Sequence, residues 1–128
     1  MLGLQKYVDA HVDPTALHLV QLRASLINGC AHCIDLHTRE ALAAGEEPRR
    51  LTGVAAWRES ELYDARERSA LALTEAVTRL GADGVPDDVW EPAIEHWSPE
   101  GAANLVLAIG TINLWNRMAI TVRQPVPA

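Results

Sequence analysis

Apolar positions along the chain recur at intervals of three and four residues, and no stretch sustains the strict alternation of a strand. After Asp13-Pro14-Thr15, with Asp or Thr near the cap and Pro14 in the first turn, Leu19, Leu22 and Leu26 follow at helical spacing. Asn28-Gly29 ends that helix, because both residues tolerate the left-handed conformation used at helix C-termini. A second helix is predicted from about Cys30 to Ala44, stopped by Gly45, with Cys33, Ile34, His37, Ala41 and Ala44 on its core side. Pro48 opens a third through Leu51, Val54, Ala55 and Trp57. Asp64 caps a fourth, which sets Ala70, Leu73, Val77 and Leu80 on one face. Gly81-Ala82-Asp83-Gly84 is a turn, and Pro86 starts a short helix ending near His96. Ser98-Pro99 then starts the last long helix, as N-cap and first helical residue.

Within that last helix, AANLVLAIGTINLW (residues 102 to 115) is apolar almost all round, with Asn104, Thr111 and Asn113 as its clearly polar members. A helix apolar on every side wants neighbours on every side. The expectation is that subunits pack together on it; the alternative is a central helix inside a compact monomer. The predicted class is all-α, in one domain spanning residues 1–128.

Composition narrows the function classes. The net charge is −6 and no block of Lys and Arg stands out, which argues against a nucleic-acid or anionic-membrane partner. Lys6, Asp9 and Asp13 interrupt the N-terminal stretch, so it has no secretory apolar region, and the apolar runs are too short and interrupted to span a bilayer. A cytoplasmic location is the expectation. There a close cysteine pair is catalytic or metal-binding more often than a permanent staple.

Both cysteines of the chain lie in NGCAHCIDLH, residues 28 to 37. On a helix Cys30 and Cys33 sit roughly 60° apart and His37 within ~40° of Cys33, so all three share one face, whereas His32 points about 100° away from Cys33. This separation lets two sulfurs close a disulfide without moving the backbone much. A helix start at residue 30 places both thiols where unpaired N–H groups and the positive dipole end favour thiolate. His37 is placed to take a proton from Cys33 or to stabilise its thiolate as imidazolium. Zinc is the competing reading, with Cys30, Cys33 and His37 as ligands and His18 or His32 as a fourth; against it stands the absence of a second ligand pair. Ile34 follows Cys33 where a c-type haem signature would have His. His11 and His96 are background.

The segment LRASLINGCAHCIDLHTREALAAGE, residues 22 to 46, resembles the core of the AhpD-like alkylhydroperoxidases, within the carboxymuconolactone decarboxylase superfamily. WRES (57 to 60), RERSALALTEAVT (66 to 78) and INLWNRMAI (112 to 120) resemble its continuation, so the match covers most of the chain. The combination S-x-x-N-G-C-x-x-C-x-x-x-H with a late N-x-W-N-R is far more specific than C-x-x-C alone. The decarboxylase branch is a weaker match, since its members generally lack the cysteine pair.

The resemblance implies a helical domain of about six to seven helices that forms homo-oligomers, commonly trimers or hexamers built from dimers. It implies a thiol peroxidase without a bound cofactor or metal. Its substrate is a hydroperoxide and its electron donor an external dithiol. By the same resemblance Cys33 attacks the peroxide, Cys30 closes the disulfide and meets the reductant, His37 belongs to the proton relay, and His32 matches the histidine between the cysteines. Family members with the relay carry a glutamate twelve residues before the first cysteine; that position here is His18, which can also carry a proton near neutral pH. The alternatives are a disulfide oxidoreductase that is not a peroxidase, or a zinc-stabilised or redox-sensing oligomeric module.

Overall fold

Six α-helices and one 3-10 helix make up the described part, residues 2–128, of the computed structural model. They are α1 (Leu2–His11), α2 (Pro14–Asn28), α3 (Ala31–Ala43), α4 (Pro48–Gly53), the 3-10 helix Val54–Glu59, α5 (Ala65–Thr78) and α6 (Asp87–Thr121). Among the described residues there is no strand, only an isolated bridge between Gly81 and Gly84 at the expected turn. The all-α class stands.

The boundaries follow from local chemistry. Asp13 accepts the Ala16 N–H at 3.1 Å ahead of Pro14, and Gly29 closes α2 at φ +71°. Asp64 and Glu67 form a reciprocal capping box at the start of α5. In α6 the helix breaks at Ser98 (φ 68°, ψ 163°), whose Oγ accepts the Gly101 N–H at 3.1 Å. The short helix and the long one read separately from sequence therefore join at Ser98 without a loop.

Two expectations need correction. The third helix is not continuous: α4 stops at Gly53 and tightens into a 3-10 helix, inside which Ala56 leaves helical geometry. A Cβ on Gly53 would lie 2.9 Å from Tyr63 Oη, so a larger residue there would have to push aside a hydroxyl that donates to the Arg50 carbonyl. Ala44 and Leu80, expected in the core, are exposed, because each lies just past the last turn of its helix.

The helix enclosed on its sides is α2. Its Leu17 and Val20 join Val8, Val12, Leu73, Leu105 and Ile109 in one buried cluster. Its Leu19 and Leu22 join Ala41, Leu51, Val54, Trp57 and Leu71 in another. Each such leucine removed from water contributes about 1.5–3 kcal/mol, so α2 is pinned from two sides. In α6, by contrast, Ala103, Leu107, Gly110 and Leu114 form an exposed stripe. The site is thus carried by a rigid central helix, α2, and by α3, which starts immediately after it.

Candidate functional site

The turn that leads into the cysteines is fastened by a polar network. Asn28 Nδ2 donates to Asn113 Oδ1 (2.9 Å) and Asn116 Oδ1 (3.0 Å) of α6. Asn116 Nδ2 donates to Ser25 Oγ (3.0 Å), and that hydroxyl donates to the Gln21 carbonyl (2.7 Å). Asn113 Nδ2 donates to Thr78 Oγ1 (2.9 Å), while Arg117 Nη1 donates to Asn113 Oδ1 (2.8 Å). Ser25 and Asn116 are fully buried, where an unpaired polar group would be costly. The early S-x-x-N and the late N-x-W-N-R therefore meet in space and clamp the end of α2 to α6.

Beyond Gly29, Cys30 is the N-cap of α3, and its sulfur accepts the Cys33 N–H at 3.2 Å. Cys30 and Cys33 are joined as a disulfide, with Cα atoms 5.2 Å apart. The helix start expected from Asn28-Gly29 thus places both sulfurs at a positive dipole end. Both residues are buried, Cys30 at 2% exposure and Cys33 at 3%. Only Cys33 borders a cleft of about 750 Å³.

That cleft brings the remaining candidates together. Its wall includes His18 and Gln21 from α2, His32, Leu36, His37 and Glu40 from α3, and Trp115 and Met118 from α6. His37 is 8% exposed. Burial pushes its pKa below the ordinary imidazole value; the nearby Glu40 carboxylate opposes that shift, and His18 and His32 add to it. Its Nδ1 lies 3.4 Å from Glu40 Oε2, close enough for ionic attraction but misaligned for a hydrogen bond. His32 Nδ1 lies 2.9 Å from the Pro125 carbonyl, to which it can only donate. This contact ties the C-terminal segment to the start of α3. His18, Cys33 and His37 therefore border one space, and Cys30 is not among the residues that line it.

Among the described residues no three His, Cys, Asp or Glu side chains are arranged to hold a metal ion. Sequence reasoning missed Glu40, although its position three residues after His37 puts it on the same helix face. It also missed Gln21, which is buried against the cleft three residues after His18.

A family model described as the carboxymuconolactone decarboxylase family matches residues 1–76. The chain is 38% identical over 121 residues to the uncharacterised protein YdfG of Bacillus subtilis (strain 168), covering 94% of this chain and 82% of that one. The uncharacterised YnjA of Escherichia coli (strain K12) is 28% identical over 103 residues, 80% of this chain and 56% of that protein. Among solved structures, a protein of unknown function from Agrobacterium tumefaciens, proposed to be the antioxidant defence protein AhpD, superposes with a TM-score of 0.95 at 38% identity, covering 99% of this chain and 88% of that one. The debrominase Bmp8 shares the fold, with a TM-score of 0.85 at 21% identity, covering 98% of this chain and 68% of that one. Among the described residues no helix is long and apolar enough to cross a membrane.

Proposed function

The chain belongs to the carboxymuconolactone decarboxylase family, and we propose that within it the protein is a thiol-dependent peroxidase of the AhpD type. The observation that carries this reading is the disulfide at the N-terminus of α3, with Cys33 opening into a cleft beside a buried histidine. In the reduced protein the Cys33 thiolate attacks the outer oxygen of a hydroperoxide; the O–O bond breaks, Cys33 becomes a sulfenic acid and the alcohol leaves. The Cys30 thiol then displaces hydroxide from that sulfur, giving the disulfide and water. An external dithiol reduces the pair by exchange and is itself oxidised to a disulfide. His37 handles the proton, and His18 stands by in the same cleft.

Reduction through Cys30 needs the Asn28–Cys30 turn to loosen, since Cys30 is almost wholly covered. The dipole end of α3 and the polar clamp from α6 hold the pair ready without a cofactor. The apolar wall of the cleft, with Leu17, Leu36, Trp115 and Met118, suits an organic hydroperoxide. The test is steady-state consumption of cumene hydroperoxide with dithiothreitol as donor. Turnover that disappears in Cys33→Ser is the expected result. Rapid disulfide exchange without peroxide consumption would instead make the protein a disulfide oxidoreductase of another kind.

A further inference from the structure

Resting on that reading, we propose that Glu40 is the positioning carboxylate of His37: it accepts the Nδ1 hydrogen and leaves Nε2 as the atom that exchanges the proton with Cys33. The buried Nδ1 has no aligned partner among the described residues, and the Glu40 carboxylate lies 3.4 Å away, one turn further along α3. Glu40 is half-exposed at the cleft wall, so its side chain has room to rotate into line with the ring N–H and close a hydrogen bond. A histidine that donates through one ring nitrogen to a carboxylate has its tautomer and ring orientation fixed, and its other nitrogen is made more basic.

Charged and titratable groups line the cleft beside His37 from three helices. They are Asp9 on α1, His18 on α2, and His32, Glu40 and Cys33 on α3; the residues that α6 and the C-terminal segment add to the cleft are uncharged. Of the two carboxylates, Asp9 already accepts the Gln5 amide at 2.8 Å. Glu40 alone is within ionic reach of the ring. His18 lines the same cleft and cannot act as an anion, so Glu40 supplies the negative charge beside the ring.

His37 Nε2 takes the proton of Cys33 S–H; the thiolate bonds to the outer peroxide oxygen; the O–O electron pair leaves on the alkoxide. The imidazolium returns its proton to that alkoxide, giving the alcohol. Sulfur is oxidised to the sulfenic acid and the peroxide is reduced. Glu40 keeps its charge throughout and stabilises the imidazolium.

The experiment compares reduced wild type, Glu40→Gln, Asp35→Asn and the double variant Glu40→Gln/His18→Glu. Two readouts are independent of peroxide: NMR titration of the His37 ring, and the pH profile of Cys33 alkylation by iodoacetamide. Glu40→Gln is expected to move the His37 titration to lower pH and to slow Cys33 alkylation near neutral pH by roughly tenfold, less than the ~10²–10⁴-fold of full acid–base assistance because His37 itself remains. Asp35→Asn removes a charge from the same helix, one paired with Arg39, and should leave both readouts in place. The added His18→Glu change in the double variant should restore much of the loss. An unmoved titration in Glu40→Gln, or an equal shift in Asp35→Asn, overturns the proposal. A wild type that consumes no peroxide while Glu40→Gln still shifts His37 overturns the peroxidase reading alone.

Discussion

At the scale of single residues, the cysteines divide by access. Cys33 borders the cleft and Cys30 does not, so the two serine variants should differ in kind. Cys33→Ser is expected to abolish peroxide consumption, whereas Cys30→Ser should form a trappable sulfenate once and then stall. Trapping the sulfenate with a dimedone probe in each variant decides between them; label on Cys30 and none on Cys33 would reverse the roles. His37 makes a second prediction, about pH. Its folded-state pKa lies below the ordinary 6.5, so the unfolded chain binds a proton that the folded protein resists. Stability from this source is fully present above pH 6.5 and falls as the pH drops below it, until the folded-state value is passed. Urea denaturation of wild type and His37→Gln across this window should show the wild type losing ground as acid is added; parallel curves would refute it. Cys30, Cys33 and His37 were legible together because intervals of three and four residues fix a shared helix face. Glu40 was legible by the same rule. The arrival of His18 in that cleft was not legible from spacing, since it depends on how α2 crosses α3; only the twelve-residue offset in the family resemblance pointed there.

At the scale of elements, punctuation was easy to read and tertiary fastening was not. Asp13, Gly29, Asp64 and Ser98 announce helix ends through chemistry that acts within four residues. The change to a 3-10 helix after Gly53 escaped, because no residue there carries a helix-stop signal and the close approach of Tyr63 comes from beyond the next turn. The clamp between α2 and α6 escaped for the same reason: Asn28 and Asn116 are 88 residues apart. Its members entered the sequence reading only as letters of a motif. Removing Asn116 leaves Asn28 and the buried Ser25 each short of a partner. Asn116→Ala should therefore cost about 1–3 kcal/mol or more, the penalty of stranded buried polar groups. It should also free the turn that covers Cys30. Chemical denaturation gives the first quantity, and the rate of disulfide reduction by dithiothreitol gives the second, which should rise. An Asn116→Ala protein with unchanged stability and unchanged reduction rate would show that the clamp holds nothing.

At the scale of the whole molecule, the largest unsatisfied feature is apolar surface. Leu107, Leu114 and Met118 of α6 are 41%, 43% and 53% exposed along one side, and on α1 Leu2 is 78% exposed. Tyr7 Oη donates to Asn104 Oδ1 at 2.9 Å, which holds α1 against this part of α6. The sequence suggested a helix needing neighbours all round; within one chain that need is met for α2 and left open along one stripe of α6. Fully burying an exposed leucine stabilises by about 1.5–3 kcal/mol and the leucines of the α6 stripe are already half-covered, so the stripe contributes to association but needs further buried surface to offset its cost. Light scattering at micromolar concentration should accordingly give a mass of several chains, and Leu107→Glu/Leu114→Glu should reduce it without loss of helical circular dichroism. A monomeric wild type would end this line of reasoning. The stripe and the site are also linked, because Met118 belongs both to the exposed face and to the cleft wall. A second chain packed on α6 over Met118 would narrow the cleft that Cys33 borders. In the dissociated double variant, alkylation of reduced Cys33 by a bulky maleimide should then speed up more than alkylation by iodoacetamide, since narrowing hinders the larger reagent more. Equal acceleration of the two reagents would mean that assembly acts on thiolate formation instead, and no acceleration would place the subunit contact away from the cleft.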